Sequence, residues 1–283
     1  MNLVRSEFRK IFTTNTWWLF LVGVVALTAA SFALNALQAH AILHAPPPKL
    51  DPGTPAAERQ QIQALFAAET AITVQAANLY TSGQYFGLLF VLLLGILVVT
   101  NEFFHQTATS TFLVTPRRTW VIAGKLTATI VSAAVLSVGI MALCVIAGLI
   151  FLRIDGDAIA LTDPAVLRAL GLNLLGYCIW AVFGVGFGTL IRNQIAAVIV
   201  ALALYLIASQ VAAAIIQLIA LLTHATWVSK LAVVVPSVAS QTMISGGDIP
   251  GRPPQWLGAV VLIAYAVVAG TIGTLLTRSR DIG

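Results

Sequence analysis

Residues 101–125 run NEFFHQTATSTFLVTPRRTWVIAGK. This polar, basic stretch lies between two hydrophobic runs, Gln84 to Thr100 and Trp120 to Phe151, and each is long enough to cross a bilayer, which takes about 20 apolar residues. A segment so placed must sit at a membrane surface. Glu102, the helix-compatible Thr/Phe/Leu centre and the Pro116-Arg117-Arg118 turn that restarts the next run predict a short structured element there, exposed to a partner on that side.

Composition widens this to the whole chain. Its 283 residues are 59% hydrophobic and 9% charged, with mean hydropathy +0.95, whereas soluble domains carry about 25% charged residues. The expected class is an all-α integral membrane protein. Apolar runs and their connections use up nearly all of the length, so residues 1–283 are expected to form one membrane domain with no separable soluble part. Cys144 and Cys178 both lie inside apolar runs, where cysteine behaves as a small hydrophobe. The first apolar run, which opens at Trp17, suits a spanning helix better than a cleavable signal.

Six runs have spanning length: 17–37, 84–100, 120–151, 170–191, 195–222 and 256–277. An even number puts both termini on one side. That side collects Arg5, Arg9, Lys10, Arg117, Arg118, Lys125, Arg192, Arg278 and Arg280, nine of the fifteen basic residues, so the positive-inside rule makes it the cytoplasm. The formal charge of +5 is thereby explained by membrane orientation. The cations are scattered at span ends and form no stripe with aromatic platforms, so nucleic acid is not an expected partner.

Outside the spans, Leu3, Val4, Phe8, Ile11 and Phe12 recur at helical spacing with Arg5, Glu7, Arg9 and Lys10 between them, predicting an interfacial amphipathic helix over 1–16. In the outer connection 40–83, Thr54 is a candidate N-cap with Pro55 at the first helical position. Ile62, Leu65, Phe66, Ile72, Ala76 and Leu79 give one apolar face beyond it. The other outer connection, 223–255, holds LAVVVPSVASQTMI, which is too short to cross and is interrupted by Pro236; it predicts a re-entrant or interfacial hairpin.

The chemistry that is missing narrows the function. No Asp or Glu lies inside any of the six runs, although gradient-driven carriers place carboxylates there at a cost of about 2.5–3.5 kcal/mol each. The one Gly-Lys pair, Gly124-Lys125, lacks the rest of a phosphate-binding loop. Both absences point to a conduit moved by another subunit. His40 and His44 have metal-ligand spacing but no acid beside them, so no metal site is expected; GVGFG at 184–188 is no dinucleotide fingerprint and instead permits close helix packing.

These residues resemble a known family. Glu102, His105, Thr107, the run Thr111-Phe112-Leu113-Val114-Thr115-Pro116-Arg117-Arg118 and Lys125 look like the E-x-x-H-G-T…T-F-L-x-T-P-R-R…K segment of bacterial ABC exporter permeases of the ABC-2 type. Residues 188–197, GTLIRNQIAA, resemble a second segment of the same permeases, and the layout of helix, six spans and re-entrant element is similar along nearly the whole chain. Gln106 departs from the usual Gly, and Phe104 from an Arg common in close relatives. The resemblance implies a homo- or heterodimer of permeases in the bacterial cell membrane, resting on two cytosolic ATP-binding subunits that hold ATP and Mg2+, with no cofactor and no catalytic residue in this chain. It further implies that about 101–115 is the coupling helix, with Glu102, His105, Thr107, Arg117 and Arg118 as contacts. The second and fifth spans would line the pathway through Tyr85, Phe86, Phe90, Gln210 and Gln217. A lining of rings and amides without fixed charge suits an amphipathic small molecule, peptide or lipid better than a small ion. The competing readings are a non-transporting scaffold or regulatory subunit, and a gradient-driven carrier.

Overall fold

Where no water reaches the backbone, every N–H and C=O must be satisfied within the chain, and a single chain does this most simply as helix. The computed structural model describes residues 2–13, 16–106, 118–191, 193–223, 226–247 and 249–279, and it is helical with no strand among the described residues. The helices are α1 (Asn2–Thr13), α2 (Thr16–Leu43), α3 (Ala56–Glu69), α4 (Ile72–Tyr80), α5 (Gln84–Phe104), α6 (Arg118–Asp155), α7 (Pro164–Leu190), α8 (Gln194–Thr223), α9 (Thr226–Lys230), α10 (Pro236–Met243) and α11 (Gln255–Ser279). Six stretches among the described residues are long and apolar enough to cross a membrane: Trp17–Leu43, Ile72–Phe104, Thr119–Asp155, Pro164–Leu190, Gln194–Thr223 and Gln255–Gly273. That is the pattern of a multi-pass membrane protein.

Contacts along the helices fix their directions. Phe20 meets Phe90 and Ser31 bonds Ser82, so α2 runs against α5. Lys125 reaches the Val98 carbonyl and Ile140 abuts Gly83, so α6 also runs against it. Tyr177 bonds Gly83 and Gly188 abuts Ile96, which makes α7 parallel to α5. Gly273 abuts Gly186, and Tyr265 faces Phe183, so α11 follows α7. One end of the bundle therefore gathers α1, the end of α5 and the start of α6. The opposite end gathers α3, α4, α9, α10 and the junction of α6 with α7.

The centre of the bundle is α7, and 184–188 explains why. A Cβ on Gly184 would lie 2.5 Å from the Leu92 carbonyl oxygen, and one on Gly95 would lie 2.7 Å from the Val185 nitrogen. On the opposite side a Cβ on Gly186 would lie 2.7 Å from the Ala269 carbonyl oxygen. The GVGFG segment thus seats α5 on one side and α11 on the other at backbone contact, as its small residues predict. Tryptophans mark both ends: Trp17, Trp18 and Trp120 are exposed at one, Trp227 and Trp256 at the other, while Trp180 is buried in the core.

Several boundaries differ from the sequence reading. The fourth span starts at Pro164, six residues before Leu170, because Asp163 caps it, accepting from the Ala165 N–H at 2.8 Å with Pro164 in the first turn. The exposed Arg168 interrupted the apolar run without interrupting the helix. Pro55 precedes α3 instead of opening it (φ −56°, ψ 145°), and Thr54 supplies no side-chain cap. The apolar face read as one helix from Ile62 to Leu79 is broken at Ala71 (ψ 127°) into α3, with no buried residue, and α4, which is mostly buried and continues the second span beyond the start of α5.

Between α4 and α5 the turn at 81–83 breaks the helix within the bundle, yet its polar groups are met. Ser31 Oγ donates to the Ser82 carbonyl (2.8 Å), Asn35 Nδ2 to Ser82 Oγ (3.0 Å) and the Tyr177 hydroxyl to the Gly83 carbonyl (3.2 Å). The fifth span carries a π-turn over Ala203–Ala208 that turns Tyr205 inward. In the 223–255 connection α10 packs into the bundle end: Trp180 Nε1 donates to Ser240 Oγ (2.9 Å), and a Cβ on Gly258 would lie 2.4 Å from the Ala239 carbonyl oxygen. Gly246, at φ +69°, turns the chain against Ala77 of α4.

Candidate functional site

Four charged side chains converge where α1, α5 and α6 meet. Glu7 lies midway along α1, facing away from solvent; Lys10 follows one turn later; Glu102 is in the last turn of α5; Lys125 is two turns into α6. Lys125 Nζ lies 3.0 Å from Glu7 Oε2, 2.8 Å from Glu102 Oε1 and 3.0 Å from the Val98 carbonyl oxygen. Lys10 Nζ lies 2.7 Å from Glu7 Oε1 and 2.7 Å from Glu102 Oε1. Glu7, Glu102 and Lys125 are 3%, 5% and 5% exposed, so among the described residues two acids and two ammoniums form a cluster that is buried except at Lys10.

Burial of charge is tolerated only when opposite charge and hydrogen bonds replace water, and here they do. Lys125 satisfies its three donors with two carboxylates and the Val98 carbonyl. For the half-exposed Lys10, burial alone would lower the pKa. The hydrogen bonds to Glu102 and Glu7 and their negative charges outweigh it and hold the pKa above the ordinary lysine value. Every one of the four groups is engaged, and their ion pairs link α1 to the end of α5 and the start of α6.

Of the residues singled out in the sequence, Glu102 is inside this cluster. His105 follows α5, exposed, with its ring edge-on to Phe104 at 5.0 Å. Thr107 and Arg117 lie outside the described residues, and so does the side chain of Arg118, whose backbone opens α6. Glu7 and Lys10 were read as the polar side of an amphipathic helix, but Glu7 faces the bundle instead. A signal was available: Lys125 stands inside a spanning run, where an ionisable residue calls for a partner.

The pathway residues divide. Gln210 Nε2 donates to the Tyr85 hydroxyl (3.2 Å), and the Tyr85 ring lies 5.1 Å from Phe86 and 5.2 Å from Tyr205. Tyr205, which was not singled out, donates its hydroxyl to the Tyr85 carbonyl at 2.6 Å and packs on Trp180 at 5.1 Å. Phe90 lies apart, against Phe20 of α2 (5.3 Å), and Gln217 is exposed further along α8. Among the described residues the grouping of metal-ligating side chains is His40, His44 and Asp155, at the end of the bundle opposite the ion cluster.

No curated protein matches this chain. A family described as "Protein of unknown function (DUF2705)" matches residues 60–283, from α3 through the last span, and the chain belongs to that family.

Proposed function

We propose that the chain is the membrane-spanning permease subunit of an ATP-driven exporter of the ABC-2 type. It stands in the bacterial cell membrane with both termini cytoplasmic, and it works as a dimer on two separate ATP-binding subunits. The observation that carries this reading is the ion cluster of Glu7, Lys10, Glu102 and Lys125, because it joins the two helices flanking the 105–117 connection to each other and to α1. A push on that connection by a closing ATPase is then delivered to α5, α6 and α1 together, and rigid helices pass it on as tilt. Glu102 works within the chain as part of this joint. The contact surface for the ATPase is the exposed pair Phe104 and His105 with Thr107, Arg117 and Arg118.

Two further features support the reading. No residue from Ser209 to Thr223 of α8 is buried, and α2 is mostly exposed, so each keeps apolar flanks for lipid or a second permease. The face formed by Tyr85, Phe86 and Gln210 is aromatic and amide-bearing without fixed charge, suited to an amphipathic cargo.

The test is co-expression with candidate ATP-binding-cassette proteins from the same genome, followed by purification through a tag on this chain. The expected result is a complex whose ATPase activity and yield both fall in His105→Ala and Arg117→Ala. If neither variant changes yield or turnover, the contact surface is wrong. If no ATPase is retained, or the chain alone hydrolyses nucleotide, the permease reading is wrong. Labelling of Gln106→Cys by an impermeant reagent on intact cells would overturn the orientation.

A further inference from the structure

α2 and α6 run parallel, so their C-terminal ends arrive together at the end of the bundle opposite the ion cluster. His40 lies in the last turn of α2, His44 follows one turn on, and Asp155 is the last residue of α6. His40 Nδ1 lies 2.7 Å from Asp155 Oδ1 and His44 Nδ1 lies 3.8 Å from Asp155 Oδ2, while the two imidazole rings are 4.6 Å apart. One ligand atom from each of the three residues falls within 4.8 Å of the others. From this we propose a site for a first-row transition-metal dication, with Zn2+ as the best fit.

Four-coordinate Zn2+ with bonds of about 2.0–2.1 Å holds its ligand atoms roughly 3.3 Å apart, so small rotations of the side chains close the site. The imidazoles are 56% and 48% exposed, and the His44 ring turns from its contact with the His40 carbonyl oxygen (3.1 Å) to face the carboxylate. The carboxylate is the preset part: it is 13% exposed, and its Oδ2 is buried with no hydrogen-bond partner among the described residues. A buried carboxylate oxygen without a donor is costly unless a cation meets it. The negative ends of two helix dipoles converge on the same point and favour positive charge. Two imidazoles and one carboxylate suit Zn2+ and its neighbours in the series, whereas Ca2+ and Mg2+ require oxygen ligands. Water completes the coordination on the open side. The histidines have the i, i+4 spacing of a metal-binding helix; the acid they lack nearby in sequence comes from 115 residues away. The bound ion would clamp the outer end of the first span to that of the third.

The experiment uses the full chain in detergent, carrying a tag without histidine. Zn2+ is titrated calorimetrically and in competition with a chromophoric chelator, and Co2+ is added separately for its visible spectrum. The expected result is one equivalent of Zn2+ at micromolar concentration and a four-coordinate Co2+ spectrum. His44→Gln and Asp155→Asn each weaken Zn2+ binding by about tenfold or more and abolish that spectrum, while His105→Gln and His224→Gln change neither. His44 is exposed and Asn retains the shape of Asp, so both ligand variants keep the wild-type elution volume. The proposal is overturned if wild-type protein shows no saturable uptake, or if both ligand variants bind as wild type does.

Discussion

Replacing Lys125 by Met removes one ammonium from the buried cluster and leaves the methylene stem in place. Its side chain is 6% exposed and meets Glu7 at 3.0 Å and Glu102 at 2.8 Å. At those separations each Coulomb attraction is about 5–6 kcal/mol for an effective dielectric of about 20, most of it cancelled by desolvation of the native groups. What the variant loses is that compensation: of the two described ammoniums between the buried carboxylates, the half-exposed Lys10 would remain. Removing one partner of a buried pair costs about 3–5 kcal/mol. For a chain of this size, roughly 2 °C is lost per kcal/mol, so Tm should fall by about 6–10 °C. The assay is tryptophan fluorescence against temperature in mild detergent. A second variant, Lys125→Met with Glu7→Gln, restores charge balance and should recover part of the loss, giving a double-mutant cycle. The control is Arg252→Gln, which breaks the exposed pair with Glu69 (61% and 43% exposed) and should cost under about 1 kcal/mol. If Lys125→Met loses no more than Arg252→Gln, the cluster does not hold the helix ends and the coupling argument fails with it.

Other consequences are separable. Gly184→Leu would force a side chain onto the Leu92 carbonyl, where even a Cβ comes to 2.5 Å; a loss of at least about 1–3 kcal/mol is expected, read as lower Tm, and an unchanged Tm would mean that α5 and α7 do not cross there. Trp180→Phe keeps the ring but loses the donor to Ser240 Oγ, so Tm should drop by the worth of one hydrogen bond, about 1 kcal/mol, and α10 should become easier to cleave with protease. The pKa of Lys10 is raised by folding, so its stabilisation is complete below the unfolded-state value near 10.5 and is lost as pH rises through the higher folded value. The Tm difference between wild type and Lys10→Gln should therefore stay constant from pH 7 to about 10 and close above it; a gap that closes near neutral pH would contradict the assigned cause.

The spans were legible because their cause is one-dimensional. A bilayer demands a run of apolar residues long enough to cross it, and such a run is visible without knowing what it touches. The six runs match six spanning stretches, and the errors lie at their ends. Asp163 with Pro164 started α7 early, and the extended backbone at Ala71 cut one expected helix into two. GVGFG was likewise readable as a packing segment, since only small residues permit backbone contact.

The candidate sites were not legible in the same way. Glu7, Lys10, Glu102 and Lys125 lie on three helices; the first three look like surface charges near span ends, and Lys125, inside its run, calls for a partner that its position in the chain does not name. The same holds for Asp155, which reaches His40 and His44 only because α2 and α6 happen to run parallel and end at one level. The amino-acid sequence alone determined that this chain is helical, where its spans fall and that no carboxylate sits inside the six runs, since those properties follow from hydrophobicity read residue by residue. Only the tertiary structure decided which charges neutralise one another, because a Coulomb interaction depends on distance in space, and that distance is set by how the helices pack.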